Sequence, residues 1–140
     1  MRKERDAGRT RLLGVSNVSL KHLHEMEASG GEMPKFVQNR CFARFGWDRD
    51  MRRFCKVRGI FYRGFSLLTA NPGLLQHAPF VELARKLNAT PAQVVLAFAR
   101  AAGMLPLTGT SNPEHMQQDL ASVAMELPPD LVREIESIAG

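Results

Sequence analysis

No apolar run in these 140 residues approaches the roughly 20 needed to span a bilayer. A membrane partner is therefore not expected. The opening Met1-Arg2-Lys3-Glu4-Arg5-Asp6 is charged and leads into no apolar h-region, so a secretory signal is not expected either. Cysteine is scarce: only Cys41 and Cys55 occur. They have no metal-ligand spacing, and two thiols do not make a disulfide framework. A reducing cytoplasm is the compartment this implies. His22, His24 and His77 lack acid or cysteine partners at ligand spacing, so no metal site is expected. Tyrosine occurs once, as Tyr62. Low-complexity segments and closely spaced repeats are missing too.

What is present suits a packed protein. Apolar residues make up 44%, and a chain this long can bury roughly two thirds of its unfolded surface. The length fits one domain or part of a larger one. The net charge of +5 is unevenly spread. Eight basic residues between Arg40 and Arg63 face only Asp48 and Asp50. After Pro113 the acids Glu114, Asp119, Glu126, Asp130, Glu134 and Glu136 face only Arg133. The arginine cluster reads as a solvated helix face or as an attractor for a phosphorylated ligand. Nucleic acid is not expected, because no aromatic platform or reading helix accompanies the charge.

Strand-like and helix-like periodicities alternate along the chain. Arg11 to Ser16 predicts a short strand. Ser19 caps a helix over Leu20 to Ala28 that Gly30-Gly31 ends. Lys35 to Asn39 predicts a second strand. Asp48 caps a helix over Arg49 to Val57, with Met51, Phe54 and Cys55 inward. A third strand begins at Gly59 and runs through Ile60-Phe61-Tyr62 to Phe65. A loop through Asn71-Pro72-Gly73 leads to a helix from about Pro79. Thr90-Pro91 opens a helix over Ala92 to Ala102 that is apolar on most faces. Met104 to Leu107 predicts a fourth strand. Asn112-Pro113 starts another helix, and Pro128-Pro129 introduces the last, with Leu131, Ile135 and Ile138 inward.

Such alternation implies parallel strands with right-handed crossovers. The expected class is α/β, with four strand–helix units and a C-terminal helix. That is half of an eight-unit TIM barrel, and a small open α/β sheet is the rival. A half-barrel leaves one sheet face uncovered. Its exposed apolar residues would be drawn from Leu13, Val15, Phe36, Ile60 and Leu105, according to register. An isolated chain is then expected to dimerise or to aggregate.

Polar and aromatic residues cluster at the predicted strand ends, where parallel sheets bind ligands. Gly14-Val15-Ser16-Asn17, Val37-Gln38-Asn39, Gly64-Phe65-Ser66-Leu67-Leu68, Thr90-Pro91-Ala92-Gln93-Val94 and Leu107-Thr108-Gly109-Thr110-Ser111-Asn112-Pro113 follow in that order. Together they resemble the aldo-keto reductase family. The resemblance runs from about Gly8 onward and covers strands five to eight of that family's barrel. It implies that residues 1–140 form a single partial domain, the second half of such a barrel.

The resemblance also implies a site for NADP or NAD. Ser16 and Asn17 match the pair that binds the nicotinamide carboxamide, and Gln38 matches the glutamine that completes the grip. An amide needs both a donor and an acceptor held rigidly. Phe65 matches the aromatic that stacks on the nicotinamide ring. Ser66, Leu67 and Leu68 match the loop around the pyrophosphate. Gly109, Thr110, Ser111, His115 and Asp119 fall in the region that holds the adenosine phosphate end. Relatives with a strong NADP preference carry a lysine and an arginine where Gly109 and His115 stand, so the choice of cofactor stays open. Read without the resemblance, Ser16 and Asn17 could simply end a strand. Gln38 could bond a neighbouring loop, Phe65 could be core, and Thr110 and Ser111 could be helix caps.

The family's reaction needs an acid to protonate the substrate oxygen. The resemblance assigns that role to a tyrosine tuned by a lysine and an aspartate, with a histidine orienting substrate, all on the first half of the barrel. Tyr62 does not match that tyrosine, and its strand position puts it on the face opposite Phe65. No catalytic residue is therefore assigned here. Three functions remain, one of them an inactive remnant of the family. Another is the cofactor-binding half of an NAD(P)H-dependent oxidoreductase, with carbonyl reduction once a first half is supplied. The third is a non-catalytic half-barrel that binds or self-associates. The expected partners are a dinucleotide and either the first half or a second copy of this chain.

Overall fold

The computed structural model describes residues 1–138. Four strands form one parallel sheet in sequence order: β1 (Gly14–Ser16), β2 (Phe36–Arg40), β3 (Phe61–Phe65) and β4 (Leu105–Pro106). The helices are α1 (Arg2–Asp6), α2 (Leu20–Ala28), α3 (Arg49–Val57), α4 (Pro72–Gln76), α5 (Ala78–Lys86), α6 (Pro91–Ala101), α7 (Pro113–Ala121) and α8 (Pro129–Ile138). This is half of a (β/α)8 barrel, four strand–helix units with a C-terminal helix. Among the described residues, no helix is long and apolar enough to cross a membrane.

Local chemistry sets the helix starts. Ser19 accepts from the His22 N–H and receives the His22 side chain in return. Thr90 and Gln93 make the same reciprocal pair at α6, with Pro91 at its first turn. The helix α6 is buried from Val94 to Ala99. It packs with Leu23, Val37, Trp47, Phe54, Tyr62, Phe80 and Ile135 in one core between the sheet and its helices.

Asp48 departs from its predicted role. It precedes α3, but its carboxylate makes no cap bond. Gly46, Trp47 and Asp48 all have positive φ, at 68°, 56° and 53°. This left-handed run turns Asp48 inward to accept a hydrogen bond from the Tyr62 hydroxyl at 2.6 Å. The helices α1 and α4 were not predicted. The first is charged and buries no residue, and the second is five residues within the predicted loop.

The register decides which residues lie on the face without helices. Gly14 pairs with Phe36 and Ser16 with Gln38. Phe36 pairs with Phe61, Gln38 with Arg63 and Arg40 with Phe65, and Arg63 pairs with Leu105. Strand alternation puts these residues on the open face and Val15, Val37, Asn39, Tyr62 and Gly64 against the helices. Ile60 is buried in the core, and Phe61, 54% exposed, takes the open position. Leu13 and Val15 likewise belong to the helix side by alternation. Of the five apolar residues considered for the open face, Phe36 and Leu105 lie there. Phe36 and Phe61 stack with ring centroids 5.4 Å apart. Gly14 makes room for that pair, because a Cβ there would lie 3.0 Å from the Phe36 Cβ.

Three arginines of the basic cluster are structural. Arg52 donates to the carbonyls of Trp47 and Ala102, both at 2.8 Å, and pairs with Glu136. Arg58 pairs with Glu27 and lies 3.6 Å above the Phe54 ring. Arg49 also reaches Glu136.

Candidate functional site

The carboxyl ends of the strands gather most of the sequence-predicted site residues. The Gln38 carbonyl accepts from the Ser16 hydroxyl at 2.9 Å and from the Asn17 N–H at 3.0 Å. One acceptor thus ties the end of β1 to β2. Asn17 turns the chain away with a φ of 54°, a conformation asparagine tolerates better than most residues. The Gln38 side-chain amide has no hydrogen-bond partner among the described residues. It lines a cleft of about 260 Å³ with Gly14, Val15, Ser16, Phe36 and Arg63.

Phe65 ends β3 on the open face, half-buried and in register with Arg40. Ser66 follows with a φ of 55°. Ser66, Leu67 and Leu68 then meet Leu107, Thr108 and Gly109 around a second cleft of about 230 Å³. Leu67 is 1% exposed and packs in the core, so its side chain is committed there. Only its main chain can face a ligand.

At the start of α7 the polar groups are already in use. Thr110 Oγ1 accepts from the Asn112 N–H at 3.1 Å, and Asn112 Oδ1 accepts from the Glu114 N–H at 2.9 Å. Asn112 is thus the cap of α7, and Thr110 closes the turn that precedes it. Asp119 accepts from the Thr108 hydroxyl at 2.7 Å. Gly109, Ser111 and His115 are exposed.

A larger cleft, about 730 Å³, lies between the loop after β1, the turn after β2 and α8. It gathers none of the predicted site residues. Tyr62 belongs to the helix side, 2% exposed, and burial pushes its phenol well above the ordinary range, with neighbouring Cys41 and Asp48 adding to the shift.

The aldo/keto reductase family profile matches residues 1–139. The chain belongs to the aldo/keto reductase family. It is 31% identical over 132 residues to an uncharacterized oxidoreductase of Schizosaccharomyces pombe, covering 94% of this chain and 46% of that protein. It is 30% identical over 112 residues to a glycerol 2-dehydrogenase (NADP(+)) of Saccharomyces cerevisiae, covering 79% of this chain and 36% of that one. Among solved structures, the apo form of Gox0644 superposes with a TM-score of 0.84 at 26% identity, covering 99% of this chain and 50% of that one. The chain thus spans half or less of the length of these relatives.

Sequence reasoning missed two buried asparagines that hold the loops behind this region. Asn39 accepts from the Val18 N–H at 3.1 Å and donates to the Val18 carbonyl at 2.8 Å. Asn71 accepts from the Ala43 N–H at 2.7 Å and donates to the carbonyls of Cys41 and Leu67. Asn71 looked like turn punctuation before Pro72. Its side chain in fact fastens the loop after β2 to the loop after β3. Arg63 was also missed, because it was counted with the basic cluster and not placed on the open face.

Proposed function

We propose that residues 1–140 form one partial domain, the dinucleotide-binding half of an oxidoreductase that reduces a carbonyl with NADPH or NADH. The acid for that step belongs to a companion half-barrel carrying the family's tyrosine, lysine, aspartate and histidine. One observation carries the reading. Ser16, Asn17 and Gln38 converge at one strand end, and the Gln38 amide is left unpartnered beside a cleft.

That arrangement fits a carboxamide ligand. The Gln38 side chain offers both a donor and an acceptor. The hydrogen bonds from Ser16 and Asn17 to its carbonyl hold its backbone in place. Phe65 offers a ring face on the same side of the sheet, and stacking there costs little side-chain entropy. Ser66, Leu67 and Leu68 offer main-chain groups along the second cleft. Gly109, Thr110, Ser111 and His115 lie at the start of α7, where the helix dipole favours an anion, and Asp119 holds that loop through Thr108. When bound, the dinucleotide supplies the hydride. Holding the nicotinamide and its phosphates is the part this chain contributes.

Fluorescence titration with NADPH and with NADH tests the reading, using the chain alone and the chain complemented by the first half of a family barrel. Gln38→Ala should weaken binding by about 1 kcal/mol through an unpaired amide. Phe65→Ala should weaken it by a similar ~1 kcal/mol through lost stacking. Parent-like affinity in both variants would remove the assignment.

A further inference from the structure

The open sheet face carries more than apolar surface. Phe36 and Phe61 stack at one end, and Leu105 lies on the same face in register with Arg63. In their midst sits Arg63, paired in register with Gln38 on one side and Leu105 on the other. Its side chain is half-buried and lines the cleft with Ser16, Phe36 and Gln38. No strand contains an aspartate or glutamate. Among the described residues, no carboxylate lies within ion-pairing distance of Arg63. Arg40, the other cation on this face, is exposed at the rim and lies over the Phe42 ring.

Closing a barrel over this face would bury the Arg63 guanidinium. A guanidinium cannot shed its proton to escape that burial. It must find a carboxylate, or the closure is strongly disfavoured. In a closed eight-stranded barrel, inward residues of alternate strands share a layer. The third strand of one half then faces the third strand of the other across the axis. A second copy of this chain would place Arg63 opposite Arg63. It would bring two guanidinium groups together with no acid from either sheet, and like charges so juxtaposed oppose association.

We propose that this face receives a second parallel sheet whose third strand presents a carboxylate to Arg63, and that it rejects a copy of this chain. The proposal rests on the half-barrel reading above. It holds whether the companion sheet is on the same polypeptide or on another.

The probe is the chain itself with its charge reversed. Sedimentation is measured for the parent, for Arg63→Glu, for their equimolar mixture and for Arg63→Met, each with its circular dichroism. The parent and Arg63→Glu alone should sediment as single chains. The mixture should sediment at twice that mass, with a dissociation constant at least about tenfold below that of either component alone. Arg63→Met, freed of the charge, should self-associate more tightly than the parent. Should Arg63→Glu fail to fold, the comparison of parent with Arg63→Met decides alone. A stable parent dimer that Arg63→Met does not tighten overturns the proposal, as does a mixture of folded chains no heavier than its parts. NADPH fluorescence in the same samples separates the two readings. A mixed dimer, together with a parent chain that leaves NADPH unbound alone and with the first half of a family barrel, supports the face and removes the cofactor assignment. A parent dimer that binds NADPH does the reverse.

Discussion

The phenol of Tyr62 donates to Asp48 across 2.6 Å on the helix side of the sheet. A tyrosine beside an aspartate in a reductase family invites a catalytic reading, but neither residue lines the Gln38 cleft or the Ser66–Gly109 cleft. Tyr62→Phe should therefore destabilise the fold by about 1–2 kcal/mol, through loss of a hydrogen bond to a partly buried carboxylate. Urea unfolding would show that loss, and NADPH affinity should stay at the parent value. The two cysteines make a second residue-scale prediction. Burial pushes the Cys41 thiol from 9.0 up to about 12, with Asp48 adding to it, and pushes Cys55 up to about 11. Above pH 9.0 the unfolded chain gives up thiol protons that the folded chain keeps. Stability contributed by the protonated thiols is full below that pH and falls as pH rises through the folded values. Urea midpoints measured across this alkaline range should decline, and Cys41→Ser/Cys55→Ser should flatten the decline. A slope unchanged by the double substitution would assign it to other groups.

At the scale of elements, the turn from β2 into α3 runs through three consecutive left-handed residues. Gly46 adopts that conformation freely, and a Cβ there would meet nothing within 4 Å. Gly46→Ala should cost about 1 kcal/mol from backbone conformation alone. A shift in the urea midpoint with unchanged slope would show it. This turn also marks how far the sequence could be read. The helices α2 and α6 were legible because their caps and apolar spacing agree, at Ser19 and Thr90. At Asp48 they did not agree. An aspartate before a helix reads as a cap, and only the packing of Tyr62 against it redirects the carboxylate. β3 was legible as a strand but not in phase. Ile60, Phe61 and Tyr62 are all suited to either face, so alternation could not say which two point inward. The candidate strand-end residues were found through the family's motifs. Their convergence was not visible beforehand, because it depends on the Ser16–Gln38 register. Arg63 escaped notice for the same reason.

On the scale of the whole molecule, the chain is one layer of helices on a sheet that has a second face. A dye that responds to exposed apolar surface should bind it, drawn by Phe36, Phe61 and Leu105. The purified 140 residues should not reduce aldehydes above background with NADH or NADPH. General acid assistance is worth typically ~10²–10⁴ in rate, and the one tyrosine, Tyr62, is buried on the helix side. Robust turnover that a substitution within this chain abolishes would refute that. Adjacent strands are also consecutive in sequence, so each unit can dock on the one before it as the polypeptide leaves the ribosome. The exception is α8. Its Glu136 returns across more than eighty residues to Arg52 and Arg49 beside the turn at Trp47, and Ile135 enters the same core. During synthesis that seam stays unsealed until the last helix emerges. The Trp47 region therefore stays open until α8 is made, and a stall before Pro129 would hand a nearly assembled sheet to the chaperones.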